Sequence, residues 1–558
     1  MKRNHLLVLS AVAVALTSCS GKLGELSADN FTVTPNPLEA QQGQVPVTIN
    51  GTFPEKYMKK KAVVTVTPQL RFNGQSVDGQ AATFQGESVL GNDQTVSYKV
   101  GGRYDMKTSF AYQPEMQQSE LYLTFDARLG KKKVDVPAVK VADGVIASSE
   151  LYKTTVAQAA PIIAPNNFQR IIKQEQEANI KFLIGQANLR KSELQNNSVQ
   201  EFVRLLNEIV ADQEGLRLNN IEVTGFASPD GGYDVNDRLA GNRRAAAQKY
   251  VEKQLKATGA QTDVDTKYTA EDWDGFQKLV AASNIQDKDV ILRVLSMYND
   301  PEEREAQIRS ISSAFRELAD GILPQLRRSR LIANYEVVGR SDDEIKDQLT
   351  SDAKQLSLEE LLYAGAIYDS NAAKAKEAYI KATQLYPNDA RAFNNLATLA
   401  YEEGNFDEAT QWLQKATAIN ANLPEANANL GMLALLSGDA SKAEGLIAKA
   451  SAATGINETM GNLHLAQGKY AQAEQDFTGI NSNSAALAQL MNKNYQTALN
   501  TLSRVKEPDG MTEYLKALAL ARTGDNARAA QALANAIAKD PKLAAYAQKD
   551  LELSRVSK

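Results

Sequence analysis

The chain has 558 residues, with 43% hydrophobic and 23% charged residues. These are the proportions of globular protein, which excludes a wholly disordered chain and calls for several cores. A net charge of −5 and a pI near 5.5 remove the basic face that phosphate-backbone binding needs, so no nucleic-acid partner is expected. One cysteine and two histidines exclude disulfides, Cys/His metal cages and histidine-based triads. No motif supports carboxylate or lysine catalysis, and a non-enzymatic protein without metal or cofactor is expected.

The first residues, Met1-Lys2-Arg3, form a basic head, and Leu6 to Leu16 is an apolar run too short to span a bilayer. Leu16-Thr17-Ser18-Cys19 follows and resembles a bacterial lipobox. The resemblance implies a signal peptide over 1–18 and lipidation at Cys19, where more than one acyl chain gives stable anchoring. Ser20 in place of an aspartate implies the outer membrane. Without an acidic run after Cys19, the periplasmic face is expected.

Residues 19–150 read as a β-sandwich. Phe31–Thr34, Val45–Ile49, Ala62–Thr67, Leu121–Phe125 and Lys133–Val136 are short, β-branched and roughly alternating. Pro35-Asn36-Pro37, Asn73-Gly74 and Asp78-Gly79 supply turns between them. The pattern is of immunoglobulin-like type at class level, and a spacer role or partner binding through an edge strand are both open to it. Residues 151–177 carry Pro161 and Pro165 and are expected to form a linker, helical around Phe168–Gln176.

An α+β domain is expected over 178–340. A strand opens it at Ala178, and Val199, Phe202, Leu205, Leu206 and Ile209 mark a helix. Ile221 and Val223 begin a second strand that ends at Gly225, and a long helix runs on beyond Asp234. Val264–Tyr268 is a third strand, residues 269–326 an insertion, and Leu326–Val338 the last strand. In the insertion, Glu271 and Asp272 fit an N-terminal cap and Trp273 a core anchor. Arg327, Arg328 and Arg330 suit the carboxylates of a cell wall or another anionic partner, or a solvated strand entry.

The order Gly225, Asn236-x-x-Leu239, Arg243, with intervals of 11 and 7 residues, resembles the signature of the OmpA-like, peptidoglycan-associated family. In that family an aspartate and the helix arginine bind a diaminopimelate residue of the wall peptide. The resemblance assigns the arginine's role to Arg243. The aspartate's place falls on Ser228, with Asp230 two residues on as the available carboxylate.

From residue 357 to 558 the composition shifts to Ala, Leu, Asn and Glu, and repeats appear. Leu362, Leu396 and Leu430 lie 34 apart, as do Ala375, Ala409 and Ala443, and Gly404 and Gly438. This resembles the tetratricopeptide repeat, with about six units and a capping helix. The resemblance implies a solenoid whose first helices line a peptide-binding groove, here carrying Arg391, Asn394, Asn395, Thr398, Tyr401 and Asn429. Asn395 and Asn429, one repeat apart, suit an extended peptide backbone, whereas the lysines of a carboxylate clamp are missing.

The expected whole is multidomain: an all-β sandwich, an α+β OmpA-like domain and an all-α solenoid. Its expected role is a lipid-anchored envelope scaffold that links outer membrane to peptidoglycan and recruits a protein or peptide through the repeats. The alternative is an accessory lipoprotein of a secretion, fimbrial or outer-membrane assembly machine, whose OmpA-like domain binds protein.

Overall fold

The computed structural model describes residues 23–285, 287–310, 316–368, 371–554 and 556. Cys19 and the signal-like segment 1–18 lie outside the described residues. The chain divides into two compact units, one formed by the residues up to Pro165 together with those from Tyr368 on, the other by Asn166–Ile367.

The first unit opens with ten strands: β1 Phe31–Thr34, β2 Gln44–Phe53, β3 Ala62–Phe72, β4 Gln75–Asp78, β5 Ala82–Gly86, β6 Gln94–Val96, β7 Gly102–Ala111, β8 Ser119–Leu129, β9 Lys132–Val134 and β10 Val139–Gly144. One sheet has the order β1-β2-β7; the other runs β10-β8-β3-β5-β6, with β4 and β9 paired to β3 and β8. Every second residue of β3, from Ala62 to Phe72, points inward. These side chains share one core with Val47, Ile49 and Phe53 of the facing sheet, so period-2 alternation sets the packing here. The strand β7 was not expected. Its inward Tyr104, Met106 and Phe110 alternate with exposed Arg103, Asp105 and Lys107, and the charges mask the alternation.

Beyond β10 the chain forms a short helix, α1 Tyr152–Val156. Leu151, Tyr152, Val156 and Ala159 are buried in the core of the C-terminal helices rather than in that of the sheets. Those helices form five successive hairpins after a single helix, Ala372–Leu385. The pairs are Ala390–Glu402 with Phe406–Ile419, Pro424–Leu436 with Ala440–Ile447, Ile456–Ala466 with Tyr470–Asp476, Asn483–Met491 with Tyr495–Leu502, and Gly510–Arg522 with Asn526–Lys539. Small residues at the pair interfaces, among them Ala409, Ala443, Ala473, Ala498 and Ala529, are fully buried, which lets paired helices approach closely.

The second unit is a four-stranded sheet of order β11-β14-β12-β13: β11 Ile171–Lys181, β12 Leu216–Phe226, β13 Asp263–Thr269 and β14 Arg328–Val338. Between these run α2 Lys191–Leu194, α3 Asn197–Ala211 and α4 Tyr233–Thr258. Only β12 and β13 pair in parallel. Val199, Phe202 and Leu206 of α3 and Ala247 and Val251 of α4 close the core over Ile221, Val223 and Leu331. The insertion holds α5 Trp273–Ala282, α6 Lys288–Met297 and α7 Pro301–Ser310. It has a small core of its own around Phe276, Val280, Ile291 and Leu326. Asp272 caps α5 through the Gly275 N–H at 2.9 Å, and Trp273 packs at the edge of that core.

Two expected boundaries move. Phe168–Gln176 is not helical: β11 begins at Ile171 and pairs residue for residue with β14 up to Val338. Ile171-Ile172 is β-branched and meets Val337 and Val338 across the ladder, and such cross-strand pairs outweigh the weak helical signal of the polar residues after them. The α+β fold therefore starts before 178. At the other end, the helix Leu358–Ile367, expected as the first of the repeats, groups with the second unit.

Candidate functional site

The face made by the first helix of each hairpin is occupied. The segment Ser148–Pro165 of the same chain lies along it. Asn429 grips Ile162 with both ends of its amide: its Oδ1 accepts from the Ile162 N–H at 2.7 Å and its Nδ2 donates to the Ile162 carbonyl at 2.8 Å. Asn395 does the same to Ala164, at 2.8 and 3.1 Å. A carboxamide carries one acceptor and one donor group side by side. It can therefore replace the neighbouring strand that an extended backbone would otherwise need. The two gripped residues are two apart in the segment, and the two asparagines are 34 apart in the array, so repeat spacing matches strand spacing.

Further groups extend the clasp. Asn394 donates to the Ile162 carbonyl at 3.0 Å, Tyr401 Oη to the Val156 carbonyl at 2.6 Å and Arg391 to the Pro165 carbonyl at 3.3 Å. Burial pushes the Tyr401 hydroxyl well above its ordinary pKa, which keeps it a donor. Thr398 takes no part in this contact, since its hydroxyl donates to the Asn395 carbonyl of its own helix at 2.8 Å. The side chain of Ile162 packs on Ala428, Ala450 and Ala453. Farther along the array, Asn483 donates to Gln158 and Ser484 to Thr155, each at 2.9 Å. These two residues went unrecognised because they sit in a shorter repeat, out of the 34-residue register.

The groove expected to hold a foreign peptide thus holds residues of this chain. The groove asparagines are buried: Asn394, Asn395 and Asn429 are at most 2% exposed. A linker flanked by prolines is a good occupant, because Pro161 and Pro165 favour extended backbone and present no N–H.

In the second unit the motif residues gather at the mouth of β12. Gly225 lets α4 lie close: a Cβ there would stand 2.3 Å from the Ala240 carbonyl oxygen. Asn236, on α4, donates to the Gly231 carbonyl at 2.9 Å and closes the loop between strand and helix. Leu239 is half-buried one turn on. Arg243 is 1% exposed. Its guanidinium donates to three backbone carbonyls, Phe226 at 2.9 Å, Gln186 at 3.0 Å and Leu183 at 3.4 Å. Burial and the nearby Arg327 guanidinium lower its pKa to about 10, against the opposing pull of Asp230.

The Asp230 carboxylate is matched as well. Arg327 Nη2 lies 2.8 Å from it, Arg327 Nε donates to Ser228 Oγ at 3.2 Å, and Ser228 Oγ donates to Asp230. Ser228, Asp230 and Arg327 thus form a closed cluster. Arg328 pairs with Asp272 at 2.9 Å and lies over the Phe226 ring, and Arg330 lies 5.7 Å from that ring's centre. For Arg327 and Arg328, pairing within the chain replaces both expected environments, wall carboxylate and open solvent. Arg327 was the member missed as a partner of Asp230, because the two are 97 residues apart and no local pattern joins them.

A family model described as tetratricopeptide repeat matches residues 365–424. The C-terminal hairpins form a tetratricopeptide-repeat-like array, and the match covers the first of them. Among solved structures, a tetratricopeptide repeat protein of Parabacteroides merdae is similar at 18% identity and TM-score 0.28, over 36% of this chain and 85% of that one. PilF of Pseudomonas aeruginosa is similar at 19% identity and TM-score 0.27, over 36% and 95%. Yeast Tom70 is similar at 12% identity and TM-score 0.24, over 65% and 84%. No curated protein matches the chain. Repeats of this kind suggest a protein-interaction scaffold, and the first-helix face of the array is where the chain's own segment lies.

Proposed function

We propose that the protein is a non-enzymatic scaffold of the bacterial envelope, held by a lipid at Cys19 to the periplasmic face of the outer membrane. The lipobox-like Leu16–Cys19 and the basic, apolar start support the anchor. The second unit reads as an OmpA-like domain, on the spacing of Gly225, Asn236, Leu239 and Arg243 and on an order of strands and helices that suits that fold.

Two roles for that domain divide the reading: binding peptidoglycan, or contacting protein as an accessory part of an envelope machine. One observation favours the second. The groups that would meet the two ends of a diaminopimelate are already matched within the chain, Asp230 by Arg327 and Arg243 by three carbonyls. A ligand ammonium would have to displace a guanidinium from a largely buried pair. Removing one partner of such a pair leaves the other charge uncompensated, which is costly.

The test is a pulldown with purified sacculi, using the soluble protein from Ser20 onward. The account predicts that the parent stays in the supernatant, as does the Arg243→Ala variant. Retention of the parent that is abolished by Arg243→Ala would restore the wall-binding role.

A further inference from the structure

The segment along the repeats has two parts that are held differently. Residues 148–159 are built into the fold: Leu151, Tyr152, Val156 and Ala159 belong to the repeat core, and Ser149 Oγ donates to the Ala40 carbonyl of the β region at 2.7 Å. Residues 161–165 are held mainly by the amides of Asn394, Asn395 and Asn429, with the Arg391 guanidinium at the end. One side chain, Ile162, is inserted among alanines, while Ile163 between the two gripped residues is 53% exposed.

We propose that Pro161–Pro165 is a cis-acting latch: a resident pseudo-ligand that closes the groove and is released by an extended, apolar segment of its own chemistry. The partner this predicts needs backbone N–H and C=O groups at alternate residues and a β-branched side chain at the first of them. It needs no charge, since the clasp on Ile162 and Ala164 is built from neutral carboxamides. A tethered segment competes at an effective concentration on the order of millimolar. The groove is therefore available to a free peptide only in the fraction of molecules whose latch is open, and apparent affinity falls by that fraction.

The probe is a fluorescent peptide with the sequence of residues 159–166, Ala-Ala-Pro-Ile-Ile-Ala-Pro-Asn, titrated against the full chain from Ser20. The Ile162→Asp variant places a charge among Ala428, Ala450 and Ala453 and opens the latch. It should bind the peptide roughly tenfold or more tighter than the parent. The Asn395→Ala, Asn429→Ala double variant opens the latch but loses the clasp, and should bind no better than the parent. Equal binding by parent and Ile162→Asp would overturn the latch, as would tight binding by the double variant. A second measurement needs no substitution: elastase cleavage within residues 162–164 of the parent should accelerate as unlabelled peptide is added. Cleavage that does not respond to the peptide would make the segment a permanent joint and end the proposal. Neither assay depends on the membrane anchor or the wall, so its outcome is separate from that of the sacculus experiment.

Discussion

Arg243 shows how the place of a side chain can be read from sequence while its contacts cannot. Its interval from Gly225 and Asn236 put it on α4 beside β12, and it is there. What the interval could not carry is the destination of the guanidinium, because Leu183, Gln186 and Phe226 offer only backbone carbonyls, which have no residue-type signature. The same holds for Arg327, whose partner Asp230 comes from a distant loop. A guanidinium that is itself buried and satisfies three backbone carbonyls, that of Phe226 fully buried, stabilises the fold. Arg243→Leu should therefore cost about 3 kcal/mol in urea denaturation, since each carbonyl left without a donor is penalised. Arg238→Ala on the exposed face of the same helix should change stability by less than about 0.5 kcal/mol. Similar midpoints for the two variants would show that the carbonyl contacts are dispensable.

At the scale of elements, strong periodicity was readable and weak or mixed periodicity was not. The 34-residue spacing of small residues located the hairpins because close helix contact demands small side chains at fixed positions. The strands β3, β12, β13 and β14 were readable from alternation. By contrast β7 was hidden by its outer charges, and the part of β11 before Ala178 by a polar stretch whose pairing is decided by a strand more than 150 residues later. The hairpin Ile456–Ala466 with Tyr470–Asp476 offers a test of the close-contact argument. A Cβ at Gly461 would stand 2.7 Å from the Phe477 ring, and that ring is buried at 1% exposure. Alanine in a helix gains up to about 1 kcal/mol over glycine, but overpacking against a fixed ring costs about 1–3 kcal/mol. Gly461→Ala should therefore lower stability, read as a reduced urea midpoint. A rise would mean that the hairpin relaxes freely.

At the scale of the molecule, the sequential reading of sandwich, linker and repeats gave way to a unit in which the first and last parts are joined through Ser148–Pro165. Gln42 donates to the Gln467 carbonyl at 2.8 Å and Gln118 to the Gln548 carbonyl at 3.4 Å, so the β region also meets the C-terminal helical region directly. The groove residues themselves were legible, from the register of a repeat that repeats its asparagines. Their occupant was not, because an extended backbone gripped through N–H and C=O leaves almost no trace in side-chain identity. Hydrogen exchange at single-residue resolution in the full chain from Ser20 tests this arrangement most directly. The account predicts slow exchange at Ile162 and Ala164. It also predicts that Asn429→Ala releases the Ile162 amide and Asn395→Ala the Ala164 amide, each by more than the other. Fast exchange at both amides in the parent, or protection indifferent to either asparagine, would contradict the claim that the repeats hold the chain's own segment.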